Sequence, residues 1–130
     1  MNPDTSALAR DPELVRAILL WAEKGGVPSA RPGEITVALC FHVKIMIAAG
    51  LIEGDGDYYR APGSEEFRPG IAYVKELTWQ GAEVLAALRN DTFWEKAKKT
   101  LVKHELPLLF ALVVAWGKKE LKDRAGIELP

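Results

Sequence analysis

The segment Leu77-Thr78-Trp79-Gln80-Gly81, continued by Leu85, Arg89-Asn90-Asp91, Trp94 and Lys96-Ala97-Lys98, places a strand end, a helix, a break and a second helix start in one short run. Thr78 caps a helix running to about Arg89, whose apolar positions are Val84, Leu85 and Leu88. Asn90-Asp91 breaks that helix. Thr92-Phe93-Trp94-Glu95 then has the spacing of a capping box, Thr reaching the third amide and Glu reaching back. The second helix carries Phe93, Ala97, Leu101 and Val102. Trp79 and Trp94 each open a helix beside apolar residues, where a large ring locks helix onto sheet; Trp21 and Trp116 take the same core reading. Arg89 and Asp91 are spaced for an ion pair across the break.

Upstream, Asp11-Pro12 opens a helix: Asp caps, and Pro at the first helical position gives up only an N–H that had no partner. Leu14, Val15, Ile18, Leu19 and Ala22 follow at helical spacing until Gly25-Gly26. Residues 27–33 are a breaker-rich loop, and 35–49 predict a second helix that ends at Gly50, handing over to a strand at Leu51-Ile52. Asp55-Gly56 suits a two-residue hairpin turn, while Pro62-Gly63 and Pro69-Gly70 bracket a longer loop. Ile71 to Leu77 reads as the returning strand, with Ile71, Tyr73, Lys75 and Leu77 on one face and Ala72, Val74 and Glu76 on the other. A last helix runs from near Pro107 to about Arg124, with Gly126 as its stop.

Helix, loop, helix, hairpin and more helices is the order of a winged helix with a helical C-terminal extension. The predicted class is therefore α+β and mostly helical. One domain spans 1–130, with a winged-helix-like part at 11–77, a sheet of two or three strands, and a helical extension at 78–126. The loop at 27–33 leaves room for no more than a single turn where a winged helix carries its middle helix.

The chain has 130 residues, enough to bury a core without disulfides or a metal staple; it is 48% hydrophobic and 27% charged, with net charge −1. No global basic field advertises nucleic acid or anionic membrane. A single cysteine, Cys40, suits a reducing compartment. The N-terminus lacks a signal-peptide layout, and the longest apolar run, Leu106 to Trp116, falls short of the roughly 20 residues a bilayer needs. A cytoplasmic protein without a membrane partner is the expectation.

The quoted residues also carry a resemblance. Leu77-Thr78-Trp79, Gly81, Leu85, Arg89, Asp91, Trp94, Lys96 and Lys98 resemble the domain of unknown function 2513 family of small phage and prophage proteins. Phe41-His42-Val43-Lys44 with Ala49-Gly50-Leu51-Ile52 resembles the family's helix and its exit, and Leu14 to Leu20 its opening helix. The resemblance covers about residues 13 to 122. Ala82 departs from it, since relatives often carry His after the glycine. It implies a winged-helix-like fold in a mobile-element setting, and it carries over no activity and no catalytic residue.

A recognition helix needs polar and basic side chains for the major groove. Residues 35–49 offer Thr36, His42 and Lys44 among apolar ones, and residues 31–75 hold five bases against six acids. Positive charge sits instead at 96–124, where Lys96, Lys98, Lys99, Lys103, Lys118, Lys119, Lys122 and Arg124 face three acids. These lysines are the candidate nucleic-acid or partner surface, set against the plain alternative of solvated helix faces. Leu108 to Trp116 is apolar on every side, which fits a homodimer seam through a helix at 106–116, a partner groove, or a helix wrapped by the others. Three enzyme-like patterns fail. Asp55-Gly56-Asp57 with Glu66 has Tyr59 and Arg60 where a calcium loop needs a ligand and a glycine. Cys40 and His42 point to different sides of a helix, and two histidines with one cysteine make no zinc site. The expectation is a binding protein without catalysis, cofactor or metal. Its first form is a DNA-associated regulator of a phage or prophage; its alternative is a module that binds or inhibits a host protein, such as an anti-defence factor.

Overall fold

The computed structural model describes residues 9–26, 31–103 and 110–117. Helix α1 spans Pro12–Glu23, α2 Val37–Ala48, α3 Trp79–Leu88 and α4 Asp91–Lys103; a further helix, α5, covers 110–117. Strands β1 (Ile52–Arg60) and β2 (Phe67–Leu77) form a two-stranded antiparallel hairpin. The class is α+β with a small hairpin sheet, as expected. The described part of the α1–α2 connection holds no helix, and residues 27–30 lie outside the described residues.

Caps set most of the boundaries. Asp11 accepts from the Glu13 N–H and Thr36 from the Leu39 N–H, so α2 starts two residues later than its apolar run suggests. Gly50 supplies the left-handed φ of +76° that turns α2 into β1. The junction with α3 is tied at the same place. Thr78 donates its hydroxyl to Gly50 O (2.6 Å) and its N–H to Leu51 O (3.2 Å), while its oxygen accepts from the Gly81 N–H (3.0 Å). A Cβ on Gly81 would overlap the Leu51 carbonyl, so only glycine lets the first turn of α3 sit there.

Three expectations are corrected. Asp55-Gly56 is not the turn: β1 continues to Arg60, and the reversal lies at 61–66, closed by the Ser64 N–H to Ala61 O bond. Gly56 is needed for a different reason. The strand crosses α2 so closely that a Cβ there would stand 2.6 Å from Lys44 N and 2.8 Å from Val43 Cγ1. Pro69-Gly70 lies inside β2, at the register shift where Pro69 pairs with Tyr58, and a bulge is one of the few sheet positions that tolerate Pro. Finally, α4 starts at Asp91, capped by Asn90 Oδ1 accepting from the Phe93 N–H (3.0 Å), so Thr92 is not its cap. Of the last expected helix only 110–117 falls in the described residues, and all of it is helical.

One apolar cluster joins these elements. Ile18 and Leu19 of α1, Val43 and Met46 of α2, Ile52 and Val74 of the hairpin, Leu85 and Leu88 of α3, and Phe93 and Leu101 of α4 are all 0–2% exposed. On β2 the inward face is therefore that of Ala72 and Val74. Each such side chain stabilises the fold by about 1.5–3 kcal/mol.

Candidate functional site

Helix α3 has two faces set by its phase. Gly81, Val84, Leu85 and Leu88 face the core. Trp79 stands about 140° around the helix from Val84, on the stripe Trp79, Glu83, Ala86 at spacings of four and three. Trp79 is consequently 81% exposed, which overturns its placement in the core. Trp94 and Trp21 are buried as expected, at 7% and 3%.

Helix α5 lies beside that stripe. Val113 is buried, and Trp116 sets its ring 5.1 Å from that of Phe93 of α4, tilted by 44°. Ala111, Val114 and Ala115 are exposed, so the described part of the apolar run, 110–116, is covered on one side only. Between Trp79, Glu83 and Ala86 of α3 and Phe110, Val114 and Trp116 of α5 runs an apolar cleft of about 460 Å³. Glu83 is the one charged side chain among the described residues that line it. A helical wheel of 79–88 separates Trp79 from Leu85 and groups it with Glu83; that signal is present in the sequence, but the cleft itself needs α5 in place.

The lysine surface divides. Lys96 and Lys99 are exposed on α4, and Lys103 is the last residue of that helix. Lys98 is held back: it pairs with Glu95 (2.9 Å) and lies 5.6 Å from the centre of the Trp94 ring, whose other cation, Arg16, sits at 4.1 Å. Lys118, Lys119 and Lys122 lie outside the described residues. Arg89 does not pair with Asp91; it meets Glu23 of α1 at 2.6 Å, because the α3 C-terminus packs beside that of α1.

Helix α2 keeps its polar groups for the fold. His42 is 1% exposed, its Nδ1 2.7 Å from Ala38 O and its Nε2 2.8 Å from the Asp11 N. A carbonyl only accepts and a backbone N–H only donates, so the ring is neutral with its proton on Nδ1. Burial, the largest cause, pushes its pKa below the ordinary value. Cys40 is fully buried, and burial pushes its thiol up, away from thiolate reactivity. Lys44 donates to Asp57 of β1 (3.2 Å), and that hydrogen bond is the first cause holding the Asp57 carboxyl below its usual range. Among the described residues no three His, Cys, Asp or Glu side chains gather at metal-binding distance, and no helix is long and apolar enough to cross a membrane.

Comparison with known proteins leads to one family. Residues 9–106 match the family described as Hypothetical protein (DUF2513). An uncharacterized protein of Haemophilus influenzae is 32% identical over 107 residues, a stretch covering 78% of this chain and 85% of that protein. No solved structure matches. Residues 9–106, matched by the family, include the Gly50–Leu51 junction with Thr78 and Gly81, the His42 tether and the packed start of α4. The chain belongs to the domain of unknown function 2513 family.

Proposed function

We propose that this chain is a non-enzymatic binding module that engages a protein partner through the cleft between α3 and α5. The observation that carries it is Trp79, 81% exposed at the rim of an apolar cleft. An exposed indole loses the gain of burying its large ring, so a partner that covers it recovers that gain at once. Tryptophans placed this way are frequent anchors of protein interfaces. The cytoplasm is the proposed setting, supported by the single buried thiol of Cys40.

The test is position-specific crosslinking in the source cell. A photoreactive benzoylphenylalanine in place of Trp79 is expected to give a discrete protein adduct. The same group in place of Tyr59, 55% exposed on the hairpin, is expected to give none. Equal or absent adducts at the two positions would sink the proposal.

A second reading, the DNA-associated regulator of a phage or prophage, draws on the exposed Lys96 and Lys99 of α4. Its test is the salt dependence of duplex binding by fluorescence anisotropy, where phosphate contacts impose a steep slope. A flat or absent response at low salt would retire it.

A further inference from the structure

We propose that the occupant of the α3–α5 cleft is an amphipathic helix of a partner protein that carries a lysine or arginine beside its apolar stripe. The proposal rests on the cleft being a protein-docking site and adds the partner's shape and charge.

The helical shape follows from what the cleft walls offer. Both walls are helices, whose interior backbone groups bond along the helix axis, so the cleft presents side chains and no extended ladder of free N–H and C=O groups. An extended peptide laid there would leave its own backbone polar groups without partners once covered, which is costly. A helix satisfies them itself and presents anchors three and four residues apart. The stripe from Trp79 to Ala86 is about 10 Å long at 1.5 Å per residue, or roughly two turns, which matches anchors at first, fourth or fifth, and eighth positions. A small molecule fits less well. Ligand pockets enclose most of their ligand, whereas a tryptophan 81% exposed forms a lip along an open side.

The charge follows from Glu83. Its carboxylate is exposed in the free protein and sits one turn from Trp79, among apolar lining residues. Any occupant that buries Trp79 strips water from Glu83, and a desolvated carboxylate without a cation is strongly unfavourable. A partner lysine or arginine meets that need, and the faces of Trp79 and Trp116 favour a cation further. A second copy of the chain fits this poorly. Two-fold pairing sets the same patch on both sides, so Glu83 would face apolar groups and a second Glu83.

Two designed helical peptides decide the matter, sharing one leucine stripe and differing by a lysine or a glutamate beside it. Their binding to the full chain is followed by fluorescence anisotropy of a peptide label. The lysine peptide is expected to bind about tenfold or more tighter than the glutamate peptide. Glu83→Lys is expected to reverse that order, and Trp79→Ala to weaken the lysine peptide by a similar factor. Equal binding of the two peptides, with the Trp79 dependence retained, would overturn the cationic assignment and leave protein docking standing. Binding indifferent to Trp79→Ala, or no binding of either peptide, would overturn this proposal; an absence of adducts at position 79 is the separate sign that docking itself is wrong. A concentration-dependent dimer dissolved by Trp79→Ala would assign the cleft to a second copy and also overturn it. So would acrylamide quenching that is unchanged by Trp79→Phe, because the indole would then be covered within the free chain.

Discussion

His42 shows how one buried side chain fixes a protonation state. Its ring bridges the Ala38 carbonyl and the Asp11 N–H, so a second proton would set N–H against N–H at the start of α1. Its pKa is lowered, chiefly by burial, and the sign of the pH effect follows. Above the ordinary histidine value of about 6.5 both folded and unfolded rings are neutral and the stability is fully present. Below it the unfolded chain takes up a proton that the folded chain resists, so stability falls until the lowered folded pKa is passed. His42→Gln keeps an acceptor near Nε2 and does not titrate. The difference in urea midpoint between wild type and His42→Gln should therefore shift against the wild type between about pH 7 and pH 5. Parallel curves would show that His42 does not titrate this way. Asp57, held below its usual range by Lys44, loses its contribution only as pH falls through the more acidic carboxylate range. Gly81 makes a second residue-scale case. Helix propensity alone would favour Ala at a helical glycine by about 1 kcal/mol. Here the new Cβ meets the Leu51 carbonyl, so Gly81→Ala should destabilise by about 1–3 kcal/mol in denaturant unfolding.

At the scale of elements, the sequence was legible wherever a boundary depends on local chemistry. Asp11, Gly50 and Thr78 do what their types and positions imply, and the buried positions of α1, α3 and α4 follow helical spacing, with Val102 the exception at 62% exposed. It was less legible where two local solutions compete. Asn90 and Thr92 are both capping types two residues apart, and Asn90 prevails: its Oδ1 reaches the Phe93 N–H while its own carbonyl accepts the Trp94 N–H (2.8 Å). Asn90→Ala should therefore cost about 1 kcal/mol and Thr92→Ala close to nothing in thermal or urea unfolding. The reverse order would restore the capping box. In the hairpin, Asp55-Gly56, Pro62-Gly63 and Pro69-Gly70 all read as turn dipeptides, and local rules do not rank them. Packing does, because Gly56 is where β1 passes over α2 and Pro69 is where the ladder bulges. Family likeness read from Leu77 to Lys98 holds, and two of the residues that carry it, Thr78 and Gly81, lock the start of α3 against Gly50-Leu51.

For the molecule as a whole, the candidate cleft was hidden because no single element contains it. Trp79 belongs to a helix whose other face is core, and Val114 to a segment whose apolarity implies cover without saying by what. Only the seating of α5 brings the two sides together, through Val113 and the contact between the Trp116 and Phe93 rings. That contact lies beside the core shared by α1, α2 and the hairpin, so the cleft should be separable from the fold. Phe93 is 1% exposed within the core, and Phe93→Ala should cost about 3–5 kcal/mol and lower protection throughout. Trp116 is only half-buried, and Trp116→Ala removes the ring that seats α5 while leaving the helix–hairpin core intact. Hydrogen exchange should then speed up for amides of 110–117 and stay unchanged in α1, α2 and β2, with crosslinking from position 79 lost at the same time. Faster exchange across all elements would instead make α5 part of the global unfolding unit. The cleft would then be a by-product of the core, not a surface built on it.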